Sequence, residues 1–167
     1  MTLSVSHVIF VVLSATALVG ALGVVLSRNL FRAALFLVLS FVGVAGLYIL
    51  LEVEILAMIQ LLIYVGAIAI LIIFVIMVSR QLMSPQYRAW NQQRPGGAVV
   101  AVVLFAVLAF VLLSVTWPTA EAAVPQDAIA RLGRALVAPD QFVLPFEVAS
   151  VLLLVALVGA VVIAREK

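Results

Sequence analysis

The sequence predicts an all-α integral membrane protein of five transmembrane helices, with its N-terminus outside and its C-terminus in the cytoplasm. The 167 residues are 68% hydrophobic and only 10% charged, whereas an average soluble domain is about 45–50% apolar and about 25% charged. Five apolar stretches are also long enough to cross roughly 30 Å of hydrocarbon as helices. The excess apolar surface is therefore expected to face lipid or partner proteins.

The spans are predicted within a single membrane domain, 1–167, at approximately 5–27, 32–51, 54–79, 97–117 and 143–164. Helices are expected because an isolated strand leaves its backbone groups unpaired in lipid. The continuous apolar runs also lack the alternation of a membrane barrel. Tight turns join the first span to the second and the second to the third, so these spans are expected to pack as antiparallel neighbours.

The two longer connections are predicted as a cytoplasmic loop, 80–96, and a periplasmic loop, 118–142. In the periplasmic loop Ile129, Leu132 and Leu136 share a helical face, while Arg131 and Arg134 lie elsewhere. This pattern predicts a short amphipathic helix on the membrane surface.

The distribution of basic residues predicts the orientation. In a five-span arrangement seven of the nine Lys and Arg residues fall on one side, namely Arg28, Arg32, Arg80, Arg88, Arg94, Arg165 and Lys167. Basic residues concentrate in cytoplasmic loops. The N-terminus is therefore predicted to lie outside, and the protein to be a multi-pass protein of the bacterial cytoplasmic membrane.

The composition also bears on the chemistry. The chain has no cysteine and a single histidine, His7, so thiolate, iron–sulfur and histidine metal sites are not expected within it. A net charge of +2 with dispersed arginines does not indicate nucleic-acid binding. No catalytic motif is present, and we expect no self-contained catalytic site, metal site or bound cofactor.

Two faces of the predicted helices stand out. Ser40, Gly43 and Gly46 form a small-residue face on the second span, which predicts close helix contact. In the third span Gln60 and Tyr64 are four residues apart and share a helical face, and Gly66 lowers helical propensity and admits a neighbouring backbone. Two interpretations stay open: a packing seam with two polar contacts, or a helix that rearranges through a π-bulge.

Two acidic residues lie near predicted span ends. A carboxylate inside hydrocarbon is costly and is a functional candidate. Glu54 and Glu147 are each close enough to an edge for water and headgroups to reach them, so an interfacial or partner-binding role is favoured. Glu147 is the stronger functional candidate because Phe142–Phe146 extends the apolar segment above it.

The segment 54–77, which contains the run Tyr64-Val65-Gly66-Ala67, resembles the third helix of subunit J of proton-pumping NADH:quinone oxidoreductase, respiratory complex I. Its mitochondrial counterpart is the ND-six subunit. The run Phe146-Glu147-Val148-Ala149-Ser150 is similar to the last helix of that family. A third resemblance is the entry to the second span, Arg28-Asn29-Leu30-Phe31-Arg32.

The resemblance implies a membrane-arm subunit that couples quinone reduction to proton translocation. It implies an α-to-π change around Tyr64, Val65 and Gly66, with Gln60 on the same proton path. It also implies neighbours in the membrane arm of complex I, namely the quinone-site subunit (designated H) and those designated A, K and N. FMN, iron–sulfur clusters and quinone are then expected in the complex and not in this chain.

Two alternatives remain at this point. The membrane module is shared, so the chain could serve a ferredoxin-dependent, quinone-reducing relative. A component of a cation/proton antiporter with no redox link is a different class. Flavin and iron–sulfur absorbance of the native complex separates the antiporter from the other two.

Overall fold

The structure, a computed structural model, describes residues 5–79, 93–116, 125 and 127–165. These residues form helices and no β-strand, and five of the helical stretches are long and apolar enough to cross a membrane. The predicted all-α fold with five membrane-spanning helices is therefore confirmed. The chain divides into two compact units, Met1–Ala120 and Glu121–Lys167.

The first unit contains α-helices and one π-helical segment. Its elements are α1 (Val5–Leu26), α2 (Leu30–Leu50), α3 (Glu54–Ile59), the π segment (Gln60–Ala69), α4 (Ile70–Val78) and α5 (Arg94–Ser114). The second unit contains α6 (Ala128–Val137) and α7 (Val143–Ala164).

A side-chain cap sets the turn between α1 and α2. Asn29 has extended backbone angles, and its Oδ1 accepts hydrogen bonds from the backbone N–H groups of Phe31 (2.9 Å) and Arg32 (3.2 Å). Such a cap satisfies donors that have no partner in the first turn of a helix. The cap therefore starts α2 two residues before the predicted 32.

The small-residue face of α2 packs on α1, as predicted. The Ser40 hydroxyl donates to the carbonyl oxygen of Ala17 at 3.0 Å. A Cβ added at Gly43 would lie 2.7 Å from the backbone nitrogen of Ala17, and one added at Gly20 would lie 2.6 Å from that of Ser40. Only glycine at these positions allows the two backbones to approach so closely.

The turn between α2 and α3 is closed by backbone hydrogen bonds. The N–H of Val53 donates to the Tyr48 carbonyl and the N–H of Glu52 donates to the Ile49 carbonyl, both at 3.0 Å. This is the Schellman pattern, in which the residue after the helix is left-handed. Glu52 occupies that position, with φ of 58°.

The third span is one continuous helix from Glu54 to Val78, 25 residues long. Backbone angles are right-handed helical on both sides of the π segment, with φ −57° and ψ −47° at Gln60 and φ −64° and ψ −42° at Ile70. The hydrogen-bonding register therefore changes inside the span without a break in the helix. All three parts of this span contact α2.

The fourth span differs from its predicted bounds. It begins at Arg94 and ends at Ser114, with Pro95 in the first turn, whereas the sequence placed it at 97–117 and assigned 94–96 to a loop. Proline is favoured in a first helical turn because the missing N–H is unpaired there in any case. The predicted cytoplasmic loop lies outside the described residues from 80 to 92.

The second unit pairs a short helix with a span. The predicted amphipathic helix is present as α6, and a tight turn joins it to α7. The N–H of Gln141 donates to the Ala138 carbonyl and the N–H of Phe142 donates to the Ala135 carbonyl, both at 3.1 Å. These bonds place the last turn of α6 beside the start of α7.

Candidate functional site in the third span

The π segment, Gln60–Ala69, contains the hinge residues, namely Tyr64, Val65 and Gly66, around which the family resemblance implies an α-to-π change. A π-helix closes hydrogen bonds from residue i to i+5; it is rare, usually a single turn, and frequent at functional sites. Here it covers 10 residues. One of the two interpretations of this run was a helix that rearranges through a π-bulge, and the rearrangement itself stays a prediction.

Gln60 is the first residue of the π segment and its most unusual side chain. It is only 7% exposed, which makes it the one buried polar or charged residue among those described. Its carboxamide makes no hydrogen bond to any described residue, and its N and O atoms keep some access to the surroundings of the helix. Since a buried amide without a partner is costly, this position favours water or a polar group from outside the chain.

Tyr64 lies one turn further along and contacts α2. Its ring meets that of Phe41 edge-on, with centroids 5.4 Å apart and planes at 69°. Such edge-to-face pairs contribute about 0.5–1.5 kcal/mol beyond the area they bury. The hydroxyl of Tyr64 makes no hydrogen bond within the described part of the chain, so its ring is held while its polar end is free to bind elsewhere.

Gly66 differs from the sequence-based expectation in one respect. The glycine was expected to admit a neighbouring backbone, but a Cβ built there meets only the Leu61 carbonyl of its own helix, at 3.4 Å. Leu61 is five residues earlier, the acceptor spacing of a π-helix. Within the described residues, Gly66 therefore serves the internal geometry of the π segment and not a helix–helix contact.

Val65, between Tyr64 and Gly66, is half-buried, and Gly66 itself is exposed. Isoleucine and valine surround the glycine in this run, and β-branched side chains are stiff in helices. Gly66 is thus the residue that gives the backbone of the segment most of its freedom.

The two acidic candidates have different positions. Glu54 is the first residue of α3, where the positive end of the helix dipole favours a carboxylate. Glu147 lies one turn inside α7, in the second unit, and Ser150 donates its hydroxyl to the Phe146 carbonyl (3.0 Å) instead of to Glu147. Both carboxylates are exposed and neither forms an ion pair with a described residue.

The site combines an unusual backbone geometry with two polar side chains. Among the described residues, no three His, Asp or Glu side chains gather as metal ligands. What the site offers is a helix with two hydrogen-bonding registers and two polar side chains, Gln60 and Tyr64, whose hydrogen bonds are not made within it.

Phe41 is a site residue that the sequence reasoning missed. The sequence does contain a pattern that predicts its contact with Tyr64. Antiparallel helices joined by a tight turn bring together residues that are equally distant from that turn. Phe41 and Tyr64 are equally far along the chain from the Glu52–Val53 turn. The left-handed backbone of Glu52 had no comparable signal, since glycine usually occupies that position.

Comparison with known proteins decides the family. The model of the NADH-ubiquinone/plastoquinone oxidoreductase chain 6 family matches residues 20–163. The chain belongs to this family. The matched region contains the whole π segment as well as Glu54 and Glu147.

Individual members of the family are similar over nearly the full chain. NAD(P)H-quinone oxidoreductase chain 6 of Leptolyngbya boryana is 39% identical over 98% of this chain and 81% of its own length. The chloroplastic subunit 6 of Zygnema circumcarinatum is 38% identical over 98% of this chain and 94% of its own. The subunit 6 of the Paulinella chromatophora chromatophore is 40% identical over 94% and 77%.

Proposed function

We propose that this chain couples quinone reduction to proton translocation through a change between α and π geometry in its third span. As a member of the chain 6 family, it is a membrane subunit of a NAD(P)H-quinone oxidoreductase, which is an oxidoreductase complex. The observation that carries the proposal is the π segment Gln60–Ala69, which lies between two α-helical stretches of one span and contains Gly66.

The energetics of a membrane helix support such a change. A backbone group left unpaired in hydrocarbon costs several kcal/mol, so a span cannot simply unwind. A shift from i+5 to i+4 acceptors keeps nearly every backbone group bonded and moves the disruption along the helix. Two such states separated by a few kcal/mol can be biased by events at another site.

The side chains link this change to a path for protons. A register shift rotates the part of the span after the shift relative to the part before it. Gln60 and Tyr64 would then exchange their surroundings, and their polar ends would gain or lose contact with water. Gln60 carries no titratable group, so in this proposal it orders water and does not itself carry the proton.

The exposed faces of the chain support a set of partners. No described side chain of α5 or α7 is buried within the chain, although both are apolar enough to span a membrane. We assign these faces to lipid and to neighbours in the membrane arm, namely the quinone-site subunit and those designated A, K and N. Glu54 and Glu147 fit polar contacts with those neighbours, because neither finds a cation among the described residues.

The remaining parts of the proposal concern the setting of the chain. We place the N-terminus outside and the C-terminus in the cytoplasm of a bacterial cytoplasmic membrane, from the distribution of basic residues. This orientation puts α6 on the outer surface. FMN and iron–sulfur clusters are assigned to other subunits of the complex, and quinone to a site outside this chain.

Replacing Gly66 with valine tests the function. The β-branched side chain adds bulk beside the Leu61 carbonyl and restricts the backbone, so the register shift should be blocked. Electron transfer from the natural donor to an artificial acceptor should stay near normal. The rates of quinone reduction and of proton pumping should both fall, by roughly tenfold if the shift costs about 1.4 kcal/mol more, and the membrane potential should fall with them.

Two control variants separate the hinge from assembly. Tyr64→Phe keeps the ring contact with Phe41 and removes only the hydroxyl, so a milder loss of the same kind is expected. Gly159→Val makes the same substitution in α7, where no described atom lies within 4 Å of the added Cβ. If assembled Gly66→Val complexes reduce quinone and pump at the wild-type rate, the hinge proposal is wrong.

A further inference from the structure

We propose that α6 and the turn before α7 form a binding site for the headgroup of a monoanionic phospholipid. An open cleft of about 610 Å³ lies along one side of α6. Its lining includes both arginines of the helix, Arg131 and Arg134, and also Gln141 in the turn. None of these residues belongs to the third span, so the site is independent of the proposed coupling function.

The cleft runs from the edge of the apolar face of α6 to its basic face. Ile129, Leu132 and Leu136 form the apolar face, Arg131 and Arg134 lie on the opposite face, and Leu132 is the one residue of the apolar face that lines the cleft. The cleft is also lined by the small side chains of Ala128 and Ala135. A cleft with small side chains, cations and a leucine along its walls matches a lipid whose charged end and acyl chains must bind side by side.

The charges of the segment favour a single negative charge on the ligand. Asp127 already pairs with Arg131, whose Nε lies 2.9 Å from the carboxylate. Arg134 makes no ion pair or hydrogen bond with any described residue. Among the described residues one guanidinium is therefore without a counter-ion, and guanidinium groups bind phosphate oxygens in a planar, two-pronged geometry.

The position of the cleft fits the depth of a headgroup. Gln141 lies two residues before α7, the helix that enters the hydrocarbon. The hydrogen bond from the Phe142 N–H to the Ala135 carbonyl holds the end of α6 beside that entry point. Asp140, a carboxylate in the turn before α7, is exposed and does not line the cleft.

A photoactivatable lipid tests the site on the assembled complex. The purified complex is placed in bilayer discs containing a photoactivatable phosphatidylglycerol or its phosphatidylcholine analogue, illuminated and digested. Adducts on the peptides of residues 127–142 should be roughly five-fold more abundant with phosphatidylglycerol, the ratio expected for one cation near a charged headgroup. Equal labelling by the two lipids would overturn the proposal without any variant being needed.

Three variants test the role of Arg134, and two further outcomes identify a different ligand. Arg134→Gln should lower the phosphatidylglycerol adducts to the phosphatidylcholine level, whereas Arg134→Lys should keep most of them. Arg165→Gln removes the same charge at the far end of α7, about 33 Å away, and should leave the adducts unchanged. If inorganic phosphate removes them the site binds phosphate and not lipid, and if an acidic peptide segment of another subunit is cross-linked there instead, the cleft is a protein contact; either result rejects the lipid site.

Discussion

Glu52 adopts a strained backbone conformation that closes the turn between α2 and α3. Among the described residues it is the one non-glycine residue with a positive φ, 58°, a conformation that costs a side-chain-bearing residue roughly 1–2 kcal/mol. The turn it closes sets the register between α2 and the third span. That register places the Phe41 ring against Tyr64, so the strain at Glu52 is offset by contacts further along both helices.

Glu52→Gly should therefore stabilise the turn. Glycine adopts this conformation without a steric penalty, and a gain of about 1 kcal/mol slows local opening about five-fold. The measurement is hydrogen exchange, followed by mass spectrometry, at the amides of residues 52 and 53 in the assembled complex. Glu54→Gly is the matched control and should speed exchange, because Glu54 is helical and glycine disfavours the helix. Unchanged or faster exchange in Glu52→Gly would show that the residue is not strained.

At the scale of elements, the contact between α1 and α2 depends on residues without side chains. Gly20 and Gly43 each place one backbone directly against the other, and the bond from Ser40 to Ala17 lies between these two contacts. Hydrophobic force does not draw helices together in lipid, so close packing and such polar contacts must hold them.

Gly20→Ala should separate these helices. The added Cβ would lie 2.6 Å from a backbone nitrogen, which cannot move as a flexible side chain would, and overpacking of this kind costs about 1–3 kcal/mol. We expect less chain in the intact complex and faster turnover, measured by native electrophoresis after protein synthesis is stopped. Gly97→Ala, with no described atom within 4 Å of the new Cβ, should assemble normally. Equal recovery of both variants would mean that α1 and α2 tolerate a wider spacing.

The elements also show where sequence reasoning succeeds. The five spans and the close contact made by the small-residue face of α2 could be predicted from the sequence, because the length of an apolar run and the size of a side chain determine them directly. The start of α5 was misplaced, because Arg94 and Pro95 look like loop residues until proline is recognised as a first-turn residue. The expected approach of another backbone to Gly66 is not found among the described residues. A glycine in a membrane helix serves a neighbouring helix or its own backbone, and spacing does not distinguish the two.

Gln60 and Tyr64 show that the sequence does not predict how exposed each side chain of the π segment is. In α-helical spacing Gln60 and Tyr64 share one face, but in the structure Gln60 is 7% exposed and Tyr64 43% exposed. Both residues lie within the π segment, whose turn is wider than an α-helical one, so a spacing of four does not give them the same environment. The motif Tyr64-Val65-Gly66 was visible in the sequence, but the extent of the π segment depends on backbone hydrogen bonds that residue types do not reveal.

At the scale of the whole molecule, the chain has little core of its own. The buried hydrophobic residues of the described part are Ala34, Ala45, Ala57, Ala69 and Ile76, mostly small. Large apolar side chains point outward from every span. A chain of this kind is complete only with lipid and partner subunits around it, which agrees with a family whose members are named as subunits and chains of a larger oxidoreductase.

Orientation is tested on the whole chain with single cysteines, because the chain has none of its own. Val5→Cys and Asp140→Cys should react with an impermeant thiol reagent on intact cells, and Gln93→Cys should react only after the cells are opened. The basis is the excess of basic residues on the side of the first and third loops. Labelling of Gln93→Cys alone on intact cells would invert the arrangement.

Proton pumping is proposed to require the change between α and π geometry in the third span, which would move Tyr64 relative to Phe41 of α2. Phe41→p-benzoylphenylalanine places a photo-crosslinker against Tyr64, where the two rings now meet, and leaves Tyr64 and Gly66 intact. Phe36→p-benzoylphenylalanine is the control, since Phe36 contacts Gly23 of α1 and should tie together helices that do not move. Both complexes are reconstituted in vesicles, and the membrane potential is recorded before and after illumination beside the artificial-acceptor activity. We expect the potential to fall in proportion to the cross-linked fraction for position 41 only, with acceptor activity unchanged. A complex that is cross-linked at position 41 and still generates the full potential would show that pumping needs no movement of the third span against α2.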